Sequence, residues 1–287
     1  METSQLARRL AARFVAGDTL SEALEVTRRI NSQGIEVTLD RLGENVTQLE
    51  EAAASRDEYT YALEEIARLG LRANVSLKLT QFGIDVSQEA CCANVETLVR
   101  RAAELGSFVR VDMESSEYTD RTLELVIDLH ARYRAVGAVI QSYLHRSRRD
   151  VERLCERGIR VRLCKGAYLE PAGVAFSRKP DVDHNFVELT RLLLDAGVYP
   201  AIATHDERLI EETKRYSTKR GRAPDSFEFQ MLYGIRRDLQ RTLVAEGYRL
   251  RLYVPFGRAW YPYFMRRLAE RPANVFFLAR AVLRRSG

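Results

Sequence analysis

Arg266 and Arg267 follow Tyr263 by three and four residues in the run Tyr-Pro-Tyr-Phe-Met-Arg-Arg-Leu-Ala-Glu-Arg, residues 261–271. On a repeat of 3.6 residues per turn, Tyr263, Arg266, Arg267 and Glu270 share one helical face. A guanidinium is a planar fork that grips a carboxylate through two parallel hydrogen bonds, and a neighbouring tyrosine can close the pocket. A surface helix carrying Glu and Arg pairs has the same pattern, and the helix alone does not separate the two. Pro262 suits a first helical turn, and Pro272 stops the helix near Arg271.

Further charges recur at the ends of short apolar runs. In Val75-Ser76-Leu77-Lys78-Leu79-Thr80, alternation puts Ser76, Lys78 and Thr80 on one face. In Arg110-Val111-Asp112-Met113-Glu114 it does the same for Arg110, Asp112 and Glu114. An isolated buried charge is costly, so Lys78 and Asp112 are expected to pair. A structural ion pair in a barrel floor reads the same way. Asp40, Arg41 and Glu44 follow another such run, and Gln141-Ser142-Tyr143 ends a fourth. In Arg162-Leu163-Cys164-Lys165-Gly166-Ala167-Tyr168, Arg162 and Lys165 differ in parity, so one points inward and the other belongs to the turn. Gly166 and Ala167 are small and let a ligand approach the backbone. His205, in Ala-Thr-His-Asp, reads on its own as a core histidine. So many polar groups at strand ends argue for a large polar ligand, because each costs desolvation unless it is paired.

These residues need elements to hold them. The expected strands are 34–39, 74–79, 108–113, 138–143, 159–164, 199–204, 226–231 and 249–254. The expected helices between them are 45–68, 90–104, 120–133, 148–156, 185–194, 207–216 and 236–246, with another at 21–30 before the first strand. Strands alternating with helices call for parallel pairing, and eight such units point to a closed α/β barrel, the (β/α)8 TIM type. The expected organisation is an N-terminal helical segment, 1–33, and a barrel, 34–287. Catalytic groups in such a barrel lie at the C-terminal ends of the strands.

The chain has 287 residues, 46% hydrophobic and 30% charged, a globular composition. No run reaches the roughly 18 apolar residues of a membrane span, and the start shows no signal-peptide core, so a cytoplasmic protein is expected. The 45 basic residues are spread along the chain opposite 40 acids, which reads as solvated helix faces and not as a nucleic-acid stripe. Cys91, Cys92, Cys155 and Cys164 form no Cys-x-x-Cys spacing and are expected as free thiols, with no metal. Neither a dinucleotide Gly-x-Gly-x-x-Gly nor a phosphate-loop motif occurs.

Taken together and in order, Arg-Leu-Cys-Lys-Gly-Ala-Tyr (162–168), Ala-Thr-His (203–205), Glu-Phe-Gln-Met-Leu-Tyr-Gly (228–234) and Tyr-Val-Pro-Phe-Gly followed by Tyr-x-x-Arg-Arg-Leu-x-Glu-Arg (253–271) resemble proline dehydrogenase, the FAD-dependent enzyme of proline catabolism, in a compact bacterial monofunctional form. The resemblance runs from about Glu36 to Asn274. It implies hydride transfer from C5 of L-proline to flavin N5, giving Δ1-pyrroline-5-carboxylate. It assigns the proline carboxylate to Arg266, Arg267 and Lys78, and the walls around the ring to Tyr253, Tyr263 and Leu232. Asp112 is similar to the strand-end aspartate near the ring, oriented by Lys78, and Glu44 to the glutamate that pairs with Arg266 on closure. Arg162 corresponds to the residue at flavin N5. Gln141, Lys165, Gly166, Ala167, Thr204 and His205 would hold the flavin and its phosphates, Met113 and Tyr168 would line it, and Glu270 would stand nearby.

Two features depart from the family pattern: the loop 257–260 is shorter than in bifunctional relatives, and Leu169 replaces an aromatic residue found in some of them. The chain ends soon after the barrel, so a separate aldehyde dehydrogenase is expected to take the product. A quinone is the implied electron acceptor, reached by transient contact with the membrane surface, for which residues 276–285 are a candidate, although a helix packed on the barrel fits them too. Rival readings are a flavin barrel using NAD(P)H and a folate, a Schiff-base aldolase using Lys78 or Lys165, and a basic binding module.

Overall fold

The computed structural model describes residues 11–269, with side chains through residue 265. Eight parallel strands close into one barrel in chain order: β1 (Glu36–Arg41), β2 (Ala73–Leu77), β3 (Val109–Val111), β4 (Val136–Gln141), β5 (Val161–Cys164), β6 (Ala201–Ala203), β7 (Glu228–Leu232) and β8 (Arg249–Phe256). β8 pairs with β1 and completes the ring. The helices are α1 (Leu20–Asn31), α2 (Leu49–Arg68), α3 (Gln88–Glu104), α4 (Thr119–Tyr133), α5 (Ser147–Glu156), α6 (Lys179–Ala196), α7 (Glu207–Lys219), α8 (Arg237–Ala245) and α9 (Trp260–Ala269). Each expected strand and helix is present, and the ends differ by a few residues. α2 starts at Leu49 and not at residue 45, where Asn45 takes a left-handed conformation, φ 54°, that does not continue into a helix. α6 starts six residues early, with Pro180 in its first turn, where its missing N–H costs nothing. α9 starts two residues before Pro262.

Alternation along the strands sorts the side chains into two cores. Val37, Leu39, Val75, Leu77, Val109 and Val111 are fully buried and pack with helix residues such as Leu63, Leu98 and Val126. The opposite faces fill the barrel, and they are polar: Thr38, Asn74, Ser76, Arg110, Arg162, Glu228 and Gln230 are all buried there. Barrels of this type usually fill with branched apolar residues, so a charged interior points to a use beyond packing. Gly137 makes room for it. A Cβ at Gly137 would lie 2.4 Å from the Arg160 carbonyl and 3.0 Å from Arg110 Nη1. Arg110 uses that space to donate to the Ala138 and Arg160 carbonyls, at 3.2 and 2.8 Å.

The seam between β8 and β1 is covered by α1, which packs on both strands. A capping box starts α1: Thr19 N donates to Glu22 Oε2 at 2.9 Å, and Glu22 N to Thr19 Oγ1 at 3.4 Å. In a regular barrel the helix after β8 covers that seam. Here α9 instead packs its Trp260, Tyr263 and Phe264 with Phe14, Val15, Leu42 and Ile235. Leu42 follows β1 and Ile235 follows β7, so α9 lies at the C-terminal mouth. The four cysteines are free, as expected.

Candidate active site

β2 ends at Leu77, and Lys78 leads into a one-turn helix, Leu79–Phe82. The turn takes Thr80 away from the strand face expected for it. Thr80 donates through N and Oγ1 to Glu114, at 3.1 and 2.6 Å. Glu114 is therefore engaged by the protein, and burial raises its pKa against those two bonds.

Lys78 and Asp112 approach as expected, but only to 3.9 Å. The shorter contact of Lys78 is with Asp40, at 3.1 Å. Asp112 is oriented by other groups, a correction to the expectation that Lys78 orients it. Its Oδ1 accepts from Ser76 Oγ at 2.5 Å and Arg162 Nη1 at 2.7 Å, and its Oδ2 accepts from the Tyr253 hydroxyl at 2.8 Å. The cause is reach: Lys78 and Asp112 leave their strands in register, and the longer Arg162 extends from β5 to Asp112. Of the two cations of opposite parity, Arg162 is the inward one. Its guanidinium lies 5.3 Å from the centre of the Tyr253 ring, within cation–π range.

The electrostatics follow from burial. Burial disfavours the Lys78 ammonium, but Asp40 and Asp112 outweigh it and hold the charge. Complete burial pushes the Asp40 carboxyl up, against the pull of Lys78. Burial, with the charges of Asp112 and Asp40, lifts the Tyr253 phenol well above its ordinary value, so it stays a donor to Asp112. Asp40 Oδ2 and Arg162 Nη2 are buried here and have no hydrogen-bond partner among the described residues. Buried polar atoms are nearly always satisfied, so bare ones in a barrel mouth mark where a ligand supplies the missing partner.

The rim beside β5 and β6 holds the other expected cofactor residues. Lys165 reaches Asp183 at 2.5 Å and Asp206 at 3.2 Å, and Lys179 reaches the same Asp183 at 2.5 Å. Arg208 lies 3.5 Å from Asp206. Three cations thus surround two carboxylates and leave net positive charge. Thr204 Oγ1 accepts from Asp206 N at 3.1 Å, which starts α7. His205 Nε2 accepts the Leu232 N–H at 2.9 Å, so Nδ1 carries the proton and the ring ties the ends of β6 and β7 together. Gln141 donates to the Glu114 carbonyl at 2.8 Å. Gly166 is fixed by more than ligand access: its φ is +121°, and a Cβ would meet the Tyr143 ring at 2.3 Å.

The chain matches the family model for proline dehydrogenase over residues 23–280. It is 41% identical over 267 residues to proline dehydrogenase 2 of Bacillus subtilis (strain 168), covering 93% of this chain and 88% of that one. The chain belongs to the proline dehydrogenase family. A proline dehydrogenase of Deinococcus radiodurans is 41% identical over 292 residues, covering 99% and 94% of the two chains. Among solved structures, proline utilization A (PutA) from Bdellovibrio bacteriovorus, inactivated by N-propargylglycine, superposes with a TM-score of 0.85 at 28% identity. The match covers 91% of this chain and 32% of that one. This chain is an oxidoreductase acting on proline.

In this proline dehydrogenase, Lys78, Asp112, Arg162 and Tyr253 meet in one cluster. Tyr263 and Leu232 meet in the apolar patch under α9. Glu44, in the loop after β1, is near enough to help hold the Lys78 charge. Met113 is buried in the main apolar core, Tyr168 is half-buried, and Ala167 is exposed. Positions 266 and 267 are helical, but the side chains of Arg266 and Arg267, all of Glu270 and residues 276–285 lie outside the described residues. Three residues of the cluster had no role assigned from sequence: Asp40, Ser76 and Gln230. The signal was their parity. Asp40, next to last in β1, is on the face of Thr38, Ser76 shares the face of Lys78, and Gln230 shares that of Glu228.

Proposed function

We propose that this protein is an FAD-dependent proline dehydrogenase that converts L-proline to Δ1-pyrroline-5-carboxylate. The bound flavin would supply the redox chemistry, taking a hydride from C5 at its N5, which no side chain can do. The observation that carries the reading is Arg162 Nη2, a buried donor with no partner among the described residues, beside the Asp112–Tyr253 pair. Arg162 would hold the N5 edge. The excess charge of Lys165, Lys179 and Arg208 suits a pyrophosphate at the rim.

The remaining residues bind and orient the substrate. Arg266, Arg267 and Lys78 would take the proline carboxylate, Tyr253, Tyr263 and Leu232 would wall the ring, and Asp112 would stand near it, fixed by three donors. Holding the substrate in one pose is mainly a proximity contribution. α9 would close the mouth, with Glu44 meeting Arg266. We further propose a quinone as electron acceptor, with transient contact at a membrane surface, and a separate aldehyde dehydrogenase as consumer of the product. No helix among the described residues is long and apolar enough to cross a membrane.

A Schiff-base aldolase is disfavoured because an amine nucleophile needs a lowered pKa, and that of Lys78 is raised. The deciding experiment is an absorption spectrum before and after anaerobic L-proline. Flavin bands that bleach with proline and not with NADH support the reading. A protein that stays colourless after added FAD, or one bleached only by NADH, refutes it.

A further inference from the structure

Arg162 is held from below by a chain of side chains that ends in the barrel floor. Its Nε donates to Gln230 Oε1 at 2.6 Å. Gln230 Nε2 donates to Glu228 Oε1. Both Glu228 oxygens accept from Arg251 Nε at 3.0 Å. Arg251 Nη1 donates to the Val37 carbonyl and to Asn74 Oδ1, each at 3.0 Å, and its Nη2 donates to Glu36. Arg162, Gln230 and Glu228 are all buried, so water does not compete for these bonds.

The direction of the chain is set by its ends. A guanidinium only donates and a carboxylate only accepts. The residue between them must offer an acceptor upward and a donor downward. A glutamine amide does both. A carboxylate at 230 would confront Glu228, and a thioether would satisfy neither side. The Glu228 end stays ionised: burial pushes its carboxyl up, but the Arg251 charge and hydrogen bonds bring it below its ordinary value.

We propose that Gln230 is the positioning residue for Arg162. Braced on Glu228 and Arg251, it fixes the guanidinium plane so that Nη1 meets Asp112 and Nη2 is presented to the flavin. Two anchored N–H groups define that plane, so Nη2 cannot turn to find a partner in the protein. A donor held in place before the ligand arrives needs no reorganisation at the moment of reaction. This proposal rests on the flavin reading above.

The test compares wild type, Gln230→Met, Gln230→Glu and the exchange Glu228→Gln/Gln230→Glu, each loaded with FAD. Gln230→Met should slow anaerobic flavin reduction by L-proline roughly ten- to a hundredfold, as loss of a supporting partner does elsewhere, and lower the flavin potential, while proline affinity changes less than about threefold. In Gln230→Glu the two carboxylates must share a proton, so its reduction rate should approach wild type at low pH and fall as pH rises. The exchange keeps an acceptor for Arg162 Nε at 230 and a donor to it at 228, so it should recover most of the reduction rate, whereas the carboxylate now beside Arg162 should leave the flavin potential below that of wild type. Without flavin, the 15N signal of the Arg162 Nε–H should be protected from exchange in wild type and in the exchange variant, and lose protection in Gln230→Met. A Gln230→Met protein of lower Tm but unchanged rate, potential and Nε–H protection overturns the proposal. Should Gln230→Met fail to fold, an exchange variant that folds without recovering rate and Nε–H protection overturns it. A wild type that takes up no FAD overturns the proposed function and the flavin-facing part of this proposal with it. A wild type with normal flavin chemistry beside an unaffected variant sinks the positioning role alone.

Discussion

Arg251 and Arg162 stand at opposite ends of the Glu228–Gln230 pair, and their bonding differs. Every nitrogen of Arg251 has an acceptor, among them two carboxylates, a carbonyl and an amide oxygen. Among the described residues Arg162 has acceptors at Nε and Nη1 and none at Nη2, although its side chain is 7% exposed against 15% for Arg251. Leaving a buried donor unmade costs about 1–3 kcal/mol, and more when it is charged. The floor of the barrel is thus closed for stability, and the upper half carries an open valence that a ligand can complete. A bare nitrogen alone does not make a site. Arg110 Nε is also without a partner, but that guanidinium lies in the floor over the Phe108 ring, 4.9 Å from its centre, and bonds only carbonyls.

The largest effects should separate these two arginines. Arg251→Met leaves Glu228 buried without its partner and should cost ~3–5 kcal/mol of stability in urea unfolding. Arg162→Met should instead cut kcat/KM for proline by ~100- to 1000-fold, the size seen when one preorganised donor is lost, with a smaller change in stability. If Arg162→Met proves the more destabilising of the two and spares activity, the division between floor and mouth is wrong. Next in size is the carboxylate grip: Arg266→Ala or Arg267→Ala should raise KM by roughly ten- to a hundredfold, from loss of about 1.5–3 kcal/mol of charge-assisted bonding. An unchanged KM removes both residues from the site. Tyr253→Phe deletes the hydroxyl that donates to Asp112 at 2.8 Å and should lower kcat/KM by about tenfold with little change in Tm.

The smallest effect concerns pH. Burial raises the Asp40 carboxyl above its ordinary value of 3.8. Above that ordinary value, and up to the raised one, folded Asp40 keeps a proton that the unfolded chain has released. Stability therefore falls as pH rises through this window. Asp40→Asn should lack that slope, which unfolding curves at several pH values would reveal as a difference from wild type.

Much of this was legible in the sequence, for a physical reason. Eight apolar runs with helices between them require parallel pairing, and strand parity placed Asp112 inward or at the rim and left one of Arg162 and Lys165 as the inward cation. Lys78 followed the same logic, yet its partner did not. Pairing depends on which side chains reach across the barrel: Lys78 and Asp112 leave their strands in register, yet Arg162, Ser76 and Tyr253 hold Asp112 more closely than Lys78 does. Gln230 was passed over because an amide carries no charge to draw notice, and its role exists only between two charged neighbours on other strands. The early start of α6 lay in Pro180, which reads as a breaker unless it falls in a first turn.

The placement of α1 over the β8–β1 seam has a consequence for how the chain is made. α1 leaves the ribosome about 220 residues before β8. At 5–20 residues per second, that interval is on the order of 10–40 s. Through that time Ala23, Leu24 and Ile30 have β1 to cover them but not the strand that completes their seat. The nascent chain thus carries an uncovered apolar stripe until the last strand emerges, and chaperone binding during synthesis should concentrate there.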